Sequence, residues 1–319
     1  MTSTTADSGT VLVTGAAGFA GTHLCAQLLE EGRSVHALTR SGATPPGTEG
    51  HAFDVADREA LTALIEQVRP SSVFHLAAIV DTVTTPSIEE LERVNVGGTQ
   101  AVADAVSAID PAIRIVFASS AFVYGRTTPD EQPIGEAQPL RPLTPYGETK
   151  VAAENVLLAH AASGGDAVIA RAFQHTGPGH VGAYALSDWA EQLARIELAG
   201  GSGEIATGTL DVERDYLDVR DVVSAYRALA RAGESGSIYN VCSGSGVTMR
   251  LLLEGLIDAF GIDVAIVTDE ARLRAVDQPV VVGDRTALSD ATGWQPHYSL
   301  EQTLTDLAEF WRRRVREAN

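Results

Sequence analysis

Thr14-Gly15-Ala16-Ala17-Gly18-Phe19-Ala20-Gly21 stands between a short apolar, β-branched run at 10–13 and a longer amphipathic stretch at 19–31. That order reads as strand, tight turn, helix. Gly15 permits the turn, Gly18 lets a backbone approach a pyrophosphate closely, and Gly21 lets the helix pack on the strand. The helix start offers free N–H groups and a partial positive charge to phosphate. The spacing differs from G-x-G-x-x-G. Its place after a first strand and before a helix nevertheless points to a bound dinucleotide.

The same alternation continues outward. Strands are expected at 34–38, 72–76, 113–118 and 167–170, and helices at 57–68, 88–108 and 145–162. A Gly/Pro loop at 41–50 and an irregular surface loop at 127–145 interrupt them. The pattern implies α/β architecture, a Rossmann-type doubly wound parallel sheet with right-handed crossovers. After Arg171 the rhythm changes. Helices are expected at 187–198, 219–231, 248–260 and 300–316, with short strands at 214–219 and 237–241. The domain expectation is therefore a dinucleotide-binding unit at 8–172, with a return segment at about 219–243. A smaller α+β C-terminal substrate domain would take about 173–218 and 244–319.

Composition narrows the partners. The 319 residues carry a formal net charge of -19, from 42 acidic and 23 basic residues. Such a surface repels phosphate backbones, so nucleic acid is excluded as an expected partner. An anionic substrate needs a local basic pocket. Two cysteines, Cys25 and Cys242, lie far apart and build neither a metal spacing nor a disulfide framework, which fits a reducing, cytoplasmic setting. The polar first ten residues do not read as a signal peptide, and no apolar run approaches a membrane span.

Tyr146-Gly147-Glu148-Thr149-Lys150 opens the 145–162 helix. Positions i and i+4 share one face, so phenol and ammonium can point the same way. A neighbouring Lys⁺ favours phenolate, and a phenol tuned in this way passes a proton to or from a substrate oxygen. Ser120, at the end of a strand where substrate should meet cofactor, is placed to hydrogen-bond a reacting carbonyl, or simply to close a turn. Thr39-Arg40 ends the second strand where an acid would bind the ribose hydroxyls of NAD. Arg40 instead suits the 2′-phosphate of NADP, or is simply a solvated arginine at a strand end, so NADP is favoured and NAD remains possible. Asp54 reads as an acceptor for the adenine amino group or as a helix cap, although Asp57 is the better cap.

Together with Phe74-His75-Leu76-Ala77-Ala78, Asn95-Val96-Gly97-Gly98-Thr99, Arg214-Asp215-Tyr216 and Gly293-Trp294-Gln295-Pro296, these motifs resemble the extended short-chain dehydrogenase/reductase (NAD-dependent epimerase/dehydratase) family along almost the whole chain. Within it, the stretches 171–179, 214–222 and 239–244 are most similar to GDP-4-keto-6-deoxymannose reductases. The resemblance implies reduction of the C4 ketone of a nucleotide-diphosphate 4-keto-6-deoxyhexose. It implies catalytic roles for Ser120, Tyr146 and Lys150. Gly15, Ala17, Gly18, Phe19, Ala20, Arg40, Asp54, Val55, Leu76, Ala77, Ala78, Tyr146 and Lys150 would hold the cofactor. Substrate would meet Ser120, Ala121, Phe122, Gln174, His175, Arg214, Arg274 and Asp277, with Gln174 replacing the usual asparagine. A homodimer packed through the Tyr/Lys helix and the preceding helix is implied as well.

Ala121 and Phe122 stand where dehydratases of the family carry an acid–base pair or a glutamate, which disfavours dehydration. A nucleotide-sugar C4 epimerase with tightly held NAD uses the same triad, but Arg40 argues against it. A non-catalytic NADP sensor on this fold typically lacks the Tyr/Lys pair. His75 reads as packing. Trp189, Trp294 and Trp311 read as core or surface anchors.

Overall fold

The computed structural model describes residues 9–80, 86–272 and 278–318. β1 (Thr10–Thr14) sends Val11 and Val13 into one core and Leu12 into the other, because successive strand residues alternate faces. α1 (Phe19–Glu30) and β2 (Ser34–Thr39) follow, then β3 (Glu49–Ala52), α2 (Arg58–Val68), β4 (Ser72–His75), the short α3 (Ile88–Leu91) and α4 (Gly98–Ile109). β5 (Arg114–Ser120), α5 (Pro145–Ala162) and β6 (Ala167–Ala172) complete the first run. After β7 (Gln174–Thr176), α6 (Ala185–Leu198), β8 (Ser202–Thr207) and β9 (Glu213–Asp218), the chain returns through α7 (Val219–Ala232) to β10 (Ile238–Val241). β11 (Gly246–Thr248), α8 (Met249–Phe260), β12 (Asp263–Thr268), β13 (Val280–Val281), α9 (Thr286–Thr292) and α10 (Leu300–Glu317) finish it.

Seven parallel strands form the main sheet in the order β10-β6-β5-β4-β1-β2-β3. This is the Rossmann-type doubly wound sheet expected. Its order reverses between β1 and β4, and the crevice at their C-terminal ends is where such sheets bind ligands. α1 and α7 cover one face around Leu24, Leu28, Val222 and Tyr226. α2, α4 and α5 cover the other around Leu61, Val102, Val106 and Leu157. A separate core, with Trp189, Leu193, Leu252, Leu256, Leu307 and Trp311, joins α6, α8 and α10. Beside it, β7, β11 and β13 pair with β9, and β8 pairs with β12. Leu288 and Trp294, although late in the chain, pack back into the α1/α7 core.

Three expectations need correction. The 41–50 segment is not all loop, since β3 begins at Glu49 and pairs with β2 as His36↔Glu49 through Thr39↔Ala52. A short edge strand with the sequence Glu-Gly-His-Ala has no apolar alternation to reveal it. His36 Nδ1 and His51 Nε2 lie 3.0 Å apart with ring planes 13° from parallel, a hydrogen bond that ties this edge down. The 88–108 helix is broken by a π turn at Glu92–Gly97, invisible to periodicity because it inserts residues without ending the helix. The 127–145 loop is not simply a surface loop. Ile134 is buried, its N–H bonds Val282 O, and it bridges to Gly283.

Candidate active site

Gly15 adopts φ +69°, and a Cβ there would lie 2.7 Å from Ala77 N. No side chain fits, so β1's end and the Leu76–Ala78 segment approach each other as the floor of the crevice. A Cβ on Gly21 would lie 2.3 Å from Gly15 O, so this glycine packs the helix against the loop's own backbone rather than against the strand. α1 starts at Gly18 with no side-chain cap and no acid in its first turn. Ala17 and Gly18 are exposed, and Phe19 and Ala20 half-buried. The first-turn N–H groups therefore face the crevice without a competing carboxylate, a cradle suited to a pyrophosphate.

Beneath the floor runs a chain of hydrogen bonds. Ala77 N–H donates to Thr14 Oγ1 at 3.2 Å, and Thr14 Oγ1 lies 2.7 Å from His75 Nδ1. His75 Nε2 lies 3.0 Å from Thr99 Oγ1, which donates to Asn95 O. These partners place the ring proton on Nε2. Burial drives the His75 pKa down to about 3, with Lys150 adding to the effect, so the ring is neutral and structural. In the π turn, Asn95 brackets Ile79 through both its N–H and its carbonyl, and Asn95 Nδ2 donates to Thr149 Oγ1 at 3.0 Å. Thr149 Oγ1 in turn donates to Tyr146 O. The dinucleotide loop and the Tyr/Lys helix are thus fixed to each other through one buried polar chain.

α5 begins with Thr144 accepting from Gly147 N, followed by Pro145 at the first helical position. Tyr146 is half-buried, and Lys150 is 2% exposed. Lys150 Nζ donates to Ala118 O at 2.8 Å and lies 5.8 Å from the Tyr146 ring centroid. Burial pulls its pKa down to about 8, and Glu154 opposes that fall. Ser120 ends β5, and its Oγ accepts from Phe122 N at 3.2 Å, so it also closes the turn. Ala121 is half-buried, while Phe122 is 47% exposed with its ring edge-on to Tyr146 at 6.0 Å.

Gln174 sits on β7 with Oε1 buried and, among the described residues, without a hydrogen-bond partner. A buried acceptor left open in this way is what a ligand donor would satisfy. His175 bonds Phe173 O and lies parallel to the Phe19 ring at 5.9 Å, beside the glycine loop. Burial lowers its pKa. Arg214, on β9, donates to the carbonyls of Glu213 and Gln278. Arg274 and Asp277 lie outside the described residues. At the far side of the crevice Arg40 is exposed. Asp54 accepts from Ala56 N and pairs with Arg93 at 2.9 Å, and its carboxyl is held low against the upward push of burial. Asp57 is the helix cap, accepting from Ala60 N. Val55 is buried against Gly98, where a Cβ would lie 2.7 Å from Val55 Cγ1.

Sequence reasoning overlooked the buried cluster behind Ser120. Arg171 is a charged residue inside the wholly buried strand Ala-Val-Ile-Ala-Arg-Ala, and such a residue requires a partner. Glu154, one turn beyond Lys150, supplies it.

Fold and site agree on a class. Residues 11–242 match the NAD dependent epimerase/dehydratase family, and the chain belongs to it. Among the most similar curated relatives is the GDP-6-deoxy-D-mannose reductase of Pseudomonas aeruginosa, 34% identical over 96% of this chain and 98% of that protein. The solved structure of RMD from Pseudomonas aeruginosa complexed with NADPH is 32% identical over 96% of this chain and all of that one, with a TM-score of 0.84. A UDP-glucose 4-epimerase from Thermotoga maritima, solved with UDP-glucose, is 25% identical over 96% of this chain and 99% of that one, also at 0.84. Among the described residues no helix is long and apolar enough to cross a membrane.

Proposed function

We propose that the protein is an NADPH-dependent reductase of the C4 ketone of a nucleotide-activated 4-keto-6-deoxyhexose. The observation that supports this reading most is that Lys150 Nζ lies 5.8 Å from the Tyr146 ring and bonds Ala118 O, two residues before Ser120 at the C-terminal end of β5. The uncapped α1 N-terminus and the open Gln174 Oε1 fit a phosphate-bearing cofactor and a polar substrate respectively. The cofactor supplies the hydride. Tyr146 holds the proton delivered to the C4 oxygen, and Lys150, buried beside it, favours the phenolate left behind. Ser120 orients the carbonyl. Gln174, His175, Arg214, Arg274 and Asp277 hold the nucleotide-sugar, with Ala121 and Phe122 at the sugar. The two arginines give the acidic chain its local positive charge.

The reading includes a dinucleotide-binding unit at 8–172 and about 219–243 and a substrate unit formed by the remainder. It also includes a homodimer through α4 and α5. A reducing, cytoplasmic setting suits Cys25 and Cys242, both buried free thiols. The test mixes the protein with NADPH and a panel of nucleotide 4-keto-6-deoxyhexoses and follows the near-ultraviolet absorbance of reduced nicotinamide. Stoichiometric loss with one of them is expected. No loss across the panel overturns the reductase, and NMR on unreduced nucleotide hexoses then looks for C4 inversion, the epimerase outcome.

Arg40→Ser tests the cofactor assignment. Hydrogen bonds to a charged group contribute about 1.5–3 kcal/mol. NADPH affinity, measured by fluorescence titration, should therefore fall about 10- to 100-fold while NADH affinity stays nearly constant. Equal losses for both cofactors would remove Arg40 from the 2′-phosphate.

A further inference from the structure

Ser119, Arg171 and Asn240 occupy one row across β5, β6 and β10, since Ser119↔Arg171 and Asn240↔Arg171 are register partners. Side chains of register partners point to the same face. α5 crosses this row, and the Glu154 carboxylate meets it. Glu154 Oε1 accepts from Ser119 Oγ at 2.5 Å and from Arg171 Nε at 3.0 Å, and Oε2 accepts from Arg171 Nη2 at 2.7 Å. The forked, two-point pairing fixes direction as well as distance. Arg171 Nη1 continues to Tyr124 Oη and Glu136 O, and Tyr124 Oη donates to Asn240 Oδ1. Ser119, Glu154 and Arg171 are all buried.

The cluster touches the candidate site at two points. Three consecutive residues at the end of β5 are held by three different means. Ala118 O accepts from Lys150, Ser119 Oγ donates to Glu154, and Ser120 Oγ, the hydroxyl assigned to the carbonyl, accepts from Phe122 N. Glu154 also lies one turn beyond Lys150 on the same face of α5. Among the described residues, the charged and titratable groups set against Lys150 are His75 on β4, which is neutral, and Tyr146 and Glu154 on α5, while Arg171 on β6 pairs with the Glu154 carboxylate. On α7, burial pushes the Tyr226 phenol up, and Tyr146 adds to it. Glu154 is the carboxylate in that set. Lys150 is moreover the only lysine in the chain.

We propose that Glu154, clamped by Arg171 and Ser119, is a positioning residue: it holds the end of β5 under Ser120 and is the counter-charge of Lys150. It touches neither substrate nor cofactor and acts through Lys150 and Ser119. The consequence for turnover rests on the reductase reading above, but the charge relation to Lys150 does not.

The single lysine permits a direct test that needs no substrate. Protein grown on [ε-13C]lysine shows one side-chain lysine resonance, whose pH titration reads Lys150 alone. The parent midpoint is expected near 8. In Glu154→Gln it should move down by about one unit or more, because the opposing charge is gone. Glu154→Asp should bring it back toward the parent. Should Glu154→Gln fail to fold with Arg171 uncompensated, Arg171→Gln tests the same relation with the opposite sign: it frees the Glu154 carboxylate from its ion pair, and the Lys150 midpoint should move up. A midpoint equal to the parent's in a folded variant overturns the proposal. With an active panel substrate in hand, Glu154→Gln should also lower kcat about tenfold or more with KM nearly unchanged. A shifted lysine midpoint with no turnover on any substrate would leave the Glu154–Lys150 relation standing and overturn the reductase reading instead.

Discussion

Tyr146→Phe is expected to lower kcat for NADPH-driven ketone reduction by about 10²–10⁴-fold, the usual contribution of one positioned proton donor. The change removes a single oxygen. The ring keeps its place because Thr149 bonds the Tyr146 carbonyl, not the phenol, and Thr144 caps the same turn. Phe122 still meets the ring edge-on. NADPH affinity should therefore change little, and the urea midpoint should stay near the parent's. Steady-state rates with a reducible 4-keto sugar nucleotide, beside a cofactor titration on the same sample, separate these effects. A variant that turns over as fast as the parent would remove the phenol from the chemistry. Equal loss of cofactor binding would make Tyr146 a structural residue of the crevice.

The main sheet was legible because its strands are central and apolar. Val11–Val13, Val73-Phe74 and Ile115–Phe117 are buried on both faces and read as short apolar runs between amphipathic helices. β3 was not legible, since an edge strand needs no apolar alternation. Nor was the π turn at Glu92–Gly97, which exists to bring Asn95 between Ile79 and Thr149 and leaves periodicity nearly intact. β8, β11, β12 and β13 escaped for a related reason. They are two to six residues long and paired outside the main sheet, so their stability comes from partners distant in sequence. In the site, Tyr146, Lys150 and the glycines were legible because backbone geometry and i,i+4 spacing are local properties. Glu154 stands at the same spacing from Lys150, but its partners Ser119 and Arg171 come from two other strands. Only the register of β5 and β6 brings them together.

Asp215 shows the same limit and carries the second large effect. It lies within the Arg214-Asp215-Tyr216 stretch, where attention falls on the arginine, yet the aspartate is the residue with no exposed surface. Its carboxylate accepts from three backbone amides: Ser243 N at 2.7 Å, Gly244 N at 3.0 Å and Gly283 N at 3.2 Å. These join β9 to the turn after β10 and to the segment after β13, and Gly283 packs so closely that a Cβ would lie 2.6 Å from Cys242 Sγ. An ionised carboxylate is an acceptor on both oxygens, which is what three converging donors require. Asp215→Asn keeps the shape and replaces one oxygen with an NH₂ that donates. Gly244 and Gly283 both address Oδ2 and Ser243 addresses Oδ1, so either orientation of the amide sets N–H against N–H. A buried donor left without an acceptor costs about 1–3 kcal/mol. Asp215→Asn should therefore destabilise the protein by about 2–4 kcal/mol, read as a lower urea midpoint with the slope unchanged. Arg214 would keep its bonds to Glu213 O and Gln278 O only if β9 and β13 stay paired, so substrate affinity should weaken together with stability. A urea midpoint equal to the parent's would mean that the three amides find other acceptors, and that the clamp does not hold these segments together.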